Sequence, residues 1–177
     1  AERPLAIVGN GVAYANAEGA LRAFAAKTRV PLLSNMWSRG CVATRCDEYV
    51  GTTFGGGTNG AYEALAMADL LLVVGAPLDY RTGFARPPAV AESAKIVRID
   101  VEPGELSKPV EPDVGIVADA RSALSQMLAA VDDHTWSHDA WLTEVRGMRA
   151  HLLDRWEPRG RRERAPLTSQ QLCQELG

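Results

Sequence analysis

Asp79 and Arg81 stand two residues apart in a polar loop that follows the apolar run Leu70-Leu71-Leu72-Val73-Val74-Gly75. Five branched apolar residues closed by a glycine read as a strand buried on both faces. Open α/β sheets bind ligands beyond the carboxyl ends of their parallel strands, so this loop is a candidate site. An acid and a guanidinium so placed either pair with each other or contact a polar ligand. Gly9-Asn10-Gly11, after the apolar stretch Leu5 to Val8, offers a second element of the same kind. Glycines at such a turn let backbone amides and a helix amino terminus approach a phosphate. Asp100 and Asp119 close two further apolar runs, where each is placed either to cap the next helix or to contact a ligand.

Other reactive side chains point to plainer roles. His134 and His138 are one helical turn apart, but no third ligand is evident, which favours a solvated helix face over a metal. Cys41, Cys46 and Cys173 are odd in number and lack finger spacing, so they read as thiols. The tryptophans read as core or interface anchors, and the cluster Arg159 to Arg164 as a linker or junction surface. A dinucleotide fingerprint is incomplete, since its third glycine falls at Tyr14. After the second strand Ser34 and Asn35 supply no acid for a ribose. An NAD-dependent dehydrogenase is therefore an alternative that the motif supports weakly, alongside a tight turn with no ligand and a modified nucleotide site.

The elements that must position these residues alternate. Strands are expected at Leu5–Val8, Val30–Leu33, Tyr49–Phe54, Leu70–Val74, Lys95–Ile99 and Val114–Val117. Helices are expected from Ala13 to Lys27, from a Thr58 or Asn59 cap to Ala68, from Pro87 to Ser93, briefly at Pro103, and from Ala120 to Val131. Gly55-Gly56-Gly57 frees the backbone before the second of these helices. Strand–helix alternation implies a doubly wound parallel sheet, covered on both faces, with right-handed crossovers. From His134 a long amphipathic helix carries Trp136, Trp141, Val145, Met148, Leu152 and Trp156 on one stripe. A basic linker follows, then a capped helix beginning near Leu167.

At 177 residues, 46% hydrophobic and 23% charged, the chain can bury a sizeable core. A formal charge of -3 gives no pull toward nucleic acid or anionic lipid. Neither a membrane span nor a signal core is present in the sequence, so a cytoplasmic setting is expected. The chain opens on Ala1 and is already in an apolar strand pattern by Leu5, which reads as a domain cut from something longer.

In order and spacing, the segments Arg-Pro-Leu-Ala-Ile-Val-Gly-Asn-Gly-Val, Val-Pro-Leu-Leu-Ser, Ala-Asp-Leu-Leu-Leu-Val-Val-Gly-Ala-Pro-Leu-Asp-Tyr-Arg, Ile-Val-Arg-Ile-Asp-Val-Glu-Pro and Ile-Val-Ala-Asp resemble the central domain of thiamine-diphosphate-dependent enzymes of the acetolactate synthase group. That group includes oxalyl-CoA decarboxylase, benzoylformate decarboxylase and benzaldehyde lyase. The resemblance implies a three-layer, six-stranded, Rossmann-like domain of deoxyhypusine synthase-like topology over 1–133. The amphipathic helix and linker would occupy 134–166, and 167–177 would open the diphosphate-binding domain.

The resemblance further implies flanking pyrimidine-binding and diphosphate-binding domains, thiamine diphosphate with Mg2+ in the parent, and a parent homodimer or homotetramer. The parent would decarboxylate a 2-oxo acid or cleave and ligate a carbon–carbon bond. The family's Gly-Asp-Gly motif is missing from the 177 residues, so no catalytic residue is assigned here. In such domains FAD, ADP or the nucleotide part of CoA is bound. Carried across, that site would use Gly9, Asn10, Gly11, Asn35, Met36, Gly75, Ala76, Asp79, Arg81, Asp100, Val101, Asp119 and Ala120. Pro77 stands where the family has an arginine, and Gly55-Gly56-Gly57 where it has Met-His-Gly, which removes a cation and an imidazole from an FAD site. A free-standing regulatory adenine-nucleotide-binding module is the other reading of the same pattern.

Overall fold

The computed structural model describes residues 1–42, 46–53, 60–131, 134–160, 169 and 171–172, with the backbone alone for 39 and 152–160. Six parallel strands form one sheet: β1 (Pro4–Val8), β2 (Leu32–Ser34), β3 (Tyr49–Thr52), β4 (Leu70–Val74), β5 (Lys95–Asp100) and β6 (Val114–Val117), in the order β3-β2-β1-β4-β5-β6. The chain therefore winds outward from β1 to one edge, returns to β4, and winds to the other edge.

A side-chain period of two explains why β1 and β4 are apolar throughout. Leu5, Ile7, Leu71 and Val73 enter one layer with Leu33 and Ile96. Their neighbours Ala6, Val8, Leu72 and Val74 enter the opposite layer with Leu32 and Ile99. The first layer is closed by α3 (Ala61–Met67) and by Trp141, Leu142 and Val145 of α6 (Asp139–Gly160). The second is closed by α1 (Asn10–Tyr14), α2 (Glu18–Thr28) and α5 (Ala120–Ala130), through Val12, Leu21, Phe24 and Leu124. Each fully buried leucine is worth roughly 1.5–3 kcal/mol, so both layers are needed.

Several local expectations change. The single helix from Ala13 to Lys27 is two helices, because Asn16 adopts a left-handed φ of 49° and the Ala17 amide turns back to the Val12 carbonyl at 2.8 Å. Alanines on both sides hide that break, and asparagine tolerates the conformation. Residues Pro87 to Ser93 form turns and no helix, since two consecutive prolines withdraw two amide donors. β2 starts at Leu32, β3 stops at Thr52, and α3 is capped by Gly60. The glycine triplet and the caps at Thr58 and Asn59 lie outside the described residues, as do Cys173 and most of the expected terminal helix. α6 runs through Pro158 to Gly160, where a linker was expected to begin, and it starts at Asp139, so that Trp136 precedes it.

His138 also departs from expectation. It lies ahead of α6, only 7% exposed, with Nδ1 2.8 Å from the Thr28 carbonyl and Nε2 3.2 Å from that of Ala1. It is an internal strut at the end of α2, where Arg29 also joins Glu48 to Asp139. Trp141 donates to the Pro4 carbonyl at 2.7 Å and anchors α6 on the sheet, as a core tryptophan should. Cys41 is buried and Cys46 half-buried, and burial pushes both thiols up.

Candidate functional site

β1 and β4 are neighbours whose following chains diverge, and a crevice must open beyond their carboxyl ends. A cleft of about 460 Å³ lies there, within the usual range for a small-molecule site. Its lining includes Asn10, Gly11, Asn35, Gly75, Arg81, Asp100, Val101, Asp119 and Ala120, all expected from sequence. Gly9, Met36, Ala76 and Asp79 belong to the same loops but are not among its lining residues. Tyr14, Ala15, Trp37, Ser38, Pro77, Ile99 and Ala118 line it too, and sequence reasoning missed them.

Tyr14 is 83% exposed and Trp37 71% exposed, so two aromatic faces border the opening. Trp37 is therefore not a core anchor, the first of the two roles expected of the tryptophans. Its signal was available, for it stands in the polar stretch that begins at Asn35 rather than on an apolar stripe.

The glycines of the first turn serve a different purpose from the one their motif suggests. A Cβ on Gly9 would lie 2.0 Å from the Gly75 carbonyl oxygen, and one on Gly11 would lie 2.6 Å from the Gly75 Cα. Gly9 donates to the Val74 carbonyl at 3.0 Å and Gly11 to that of Gly75 at 3.1 Å. The turn is thus locked against the end of β4, and both glycine amides are consumed. Asn10 accepts from the Ser38 hydroxyl at 2.8 Å, which ties this turn to the segment after β2.

Asp79 and Arg81 pair. Arg81 Nε donates to both carboxylate oxygens at 2.9 and 3.0 Å, Nη2 also meets Oδ2, and the Arg81 amide donates to Oδ1 at 2.9 Å. The Asp79 carbonyl accepts from the Thr82 and Phe84 amides at 3.0 and 2.8 Å. Asp79 thus caps the 3-10 turn Tyr80–Ala85 and holds the guanidinium in its wall. Arg81 is 7% exposed, and its Nη1 has no partner among the described residues. Asn35, 2% exposed, likewise has an unpartnered side-chain oxygen. Both orphans border the cleft, where buried polar groups without partners call for an explanation.

The Arg81 side chain, bonded to the Asp79 carboxylate, holds that acid below its ordinary range. A lowered folded value means the clasp contributes stability above about pH 4 and loses it as pH falls through the folded value. We expect the Asp79 carboxyl to stay ionised at pH 4 in a carbon-detected NMR titration. Asp79→Asn should remove that part of the acid-dependent stability, and an Asp79 that titrates like a free carboxylate would contradict the clasp.

Asp100 and Asp119 both cap, as one of the two readings had it. Asp100 Oδ1 accepts from the Glu102 amide, and Asp119 Oδ1 from the Ser122 amide at the start of α5, each at 3.0 Å. The second oxygen of each carboxylate accepts no hydrogen bond from the described residues. Behind the cleft lies Arg98, 1% exposed, whose guanidinium donates to the carbonyls of Ala76 and Leu106, each at 3.2 Å, and to that of Lys108. Sequence reasoning passed over it, although an arginine inside Lys95-Ile-Val-Arg-Ile-Asp100 was a visible anomaly in a buried strand.

The described residues do not fit magnesium or a diphosphate cofactor. No group of three His, Cys, Asp or Glu side chains among them could hold a metal ion, and the Gly-Asp-Gly motif does not occur in the sequence. No helix among them is long and apolar enough to cross a membrane.

A family model described as the central domain of thiamine pyrophosphate enzymes matches residues 1–127. The chain is 33% identical over 164 residues to the acetolactate synthase large subunit of Corynebacterium glutamicum, covering 90% of this chain and 25% of that one. It is 28% identical over 138 residues to human 2-hydroxyacyl-CoA lyase 1, covering 78% of this chain and 23% of that one. A crystal structure from Mycobacterium smegmatis, provisionally identified as a thiamin diphosphate-dependent enzyme, superposes with a TM-score of 0.60 at 24% identity, over 72% of this chain and 24% of the other. The chain spans about a quarter of the length of the curated relatives it matches.

Proposed function

Because the chain belongs to the family of thiamine pyrophosphate enzyme central domains, we propose that it is the middle scaffold of a longer thiamine-diphosphate-dependent enzyme resembling acetolactate synthase and 2-hydroxyacyl-CoA lyase. One observation carries this reading: the chain aligns over 90% of its own length with one quarter of an acetolactate synthase large subunit. Residues 1–133 form the central domain, 134–166 the helix and basic segment leaving it, and 167–177 the entry to a diphosphate-binding domain. A pyrimidine-binding domain lies on the other side, and the parent assembles as a homodimer or homotetramer in the cytoplasm. Thiamine diphosphate and Mg2+ are held by those flanking domains, a division supported by the lack of a metal-holding group among the described residues of this chain. The parent decarboxylates a 2-oxo acid or cleaves a comparable carbon–carbon bond. This domain contributes rigidity, spacing and the cleft at the β1–β4 junction.

Titrating thiamine diphosphate, with Mg2+, into the 177-residue protein and into the product of its full reading frame tests the proposal. The short protein should neither bind the cofactor nor consume pyruvate or a 2-hydroxyacyl thioester. The full product should bind it and act on one of these substrate classes. A reading frame with no flanking domains, or thiamine diphosphate binding by the short protein, would overturn the assignment.

A further inference from the structure

At the rim opposite the crevice, the amino ends of the strands frame a second cavity of about 390 Å³, a size that also suits a small molecule. Pro4 begins β1 and Leu70 begins β4, while Leu72 and Val97 stand two residues into β4 and β5. The last turns of α2 and α5 face them through Phe24, Thr28, Met127 and Ala130. Trp136 completes the wall, with the His134 ring 4.5 Å from its own and the His138 ring 5.6 Å away. His138, bonded to the Thr28 and Ala1 carbonyls, fixes this segment to the end of α2.

Two features say what such a cavity selects. Leu70, Val97, Met127, Val131 and Trp136 are all only half-buried, so apolar surface that the sheet and helices leave uncovered is gathered in one concave place. The three polar side chains in the lining are already engaged. Thr28 Oγ1 donates to the Phe24 carbonyl at 2.8 Å, Trp136 Nε1 donates to that of Val131 at 3.5 Å, and both His138 nitrogens meet carbonyl oxygens. A space so lined offers water few partners and favours an apolar guest.

Charge is disfavoured with either sign. No Asp, Glu, Lys or Arg side chain lines the cavity. Both α2 and α5 run for eleven residues and end here, and the partial negative charge at helix carboxyl ends opposes an anion. A cation would surrender its hydration with no lining carboxylate to replace it.

We propose that this cavity is a second small-molecule site, taking an uncharged molecule built on a flat apolar ring that packs between Phe24 and Trp136. The ring buries the five half-covered side chains and asks for no hydrogen bond from the walls. The site uses neither the crevice nor the family assignment, so its test and the thiamine diphosphate titration fail independently.

Calorimetric titration of the product of the full reading frame at pH 7 with 1-naphthol, 1-naphthoate and 1-naphthylmethylammonium tests the proposal, since the three share a ring and differ in charge. Naphthol should bind at least about tenfold more tightly than either ion. Val97→Phe should place its own ring in the cavity and weaken naphthol about tenfold or more, with the thermal midpoint maintained. Trp136→Ala, at a half-buried position outside the sheet, should weaken naphthol about tenfold and serves should the first variant fail to fold. Trp37→Ala, at the other rim, should leave naphthol binding unchanged. No naphthol binding up to about 1 mM would overturn the proposal, including the case in which a flanking segment of the longer chain covers the cavity. Either ion binding as tightly as naphthol would overturn it too, as would naphthol binding indifferent to Trp136→Ala or abolished by Trp37→Ala.

Discussion

Gly9→Ala should unfold the centre of this protein. The φ of Gly9, -118°, is open to any residue, so conformational freedom is not what demands glycine there. The demand is proximity: a methyl would meet the Gly75 carbonyl oxygen at 2.0 Å, the Ala76 Cα at 2.5 Å and the Gly75 carbonyl carbon at 2.7 Å, all of them main-chain atoms. No side chain can rotate away, so relief requires β1 and β4 to part where Gly9 donates to Val74 and Gly11 to Gly75. Both strands are central and pair over five residues. A loss of about 3–5 kcal/mol is expected, at the upper end of single substitutions, and with it a fall in Tm of roughly 10 °C. Gly19→Ala is the matched control. It lies in α2, nothing stands within 4 Å of its added Cβ, and it should raise stability by about 0.5–1 kcal/mol through helix propensity. Equal melting temperatures for the two variants would show that the two turns are not interlocked as described.

The same pair of glycines shows how far the sequence could be read. Their position after an apolar strand was enough to place the turn, and the apolar runs at Leu5–Val8 and Leu70–Val74 were enough to place two buried parallel neighbours, because a strand covered on both faces has no polar alternation to confuse it. Asp100 and Asp119 followed from the same logic, each closing a strand at the rim. What glycine chemistry could not disclose is which of its two uses applies, close approach to a phosphate or close approach to another strand, since both need the missing Cβ. Only the register of β1 on β4 decides for the second. Long-range packing was likewise illegible at Asn16, where three alanines masked a helix break, and at His138, whose burial depends on Thr28 and Ala1, distant in sequence. Tyr14 and Trp37 were overlooked for a different reason. Exposed aromatics in short polar segments have no periodic pattern, and their shared location exists only once α1 and the turn after β2 are brought to one rim.

Arg98 should be the side chain whose loss most damages the protein without touching a glycine. It is the largest fully buried residue, and burial holds its guanidinium below the ordinary arginine value. Its acceptors are neutral main-chain oxygens on two segments: Ala76, after β4, and the pair Leu106 and Lys108, at and just beyond the end of the short helix α4 (Pro103–Leu106). Replacing a whole buried ion pair by apolar groups is often harmless, because both partners disappear together. Here the partners are carbonyls that no substitution at position 98 removes. Arg98→Met retains much of the aliphatic volume but leaves these oxygens without a donor, at about 1–3 kcal/mol for each that water cannot reach. A total near 3 kcal/mol is expected for methionine, and about 1–2 kcal/mol more for Arg98→Ala, which adds a cavity. The damage should be local before it is global: hydrogen exchange should accelerate first at Ala76 and across Val101–Pro109, the stretch that carries the cleft rim beside Asp100. Chemical denaturation of the two variants gives the totals. A methionine variant within about 0.5 kcal/mol of the parent protein, the range of an ordinary surface change, would mean that those carbonyls find other donors and that Arg98 does not brace the rim.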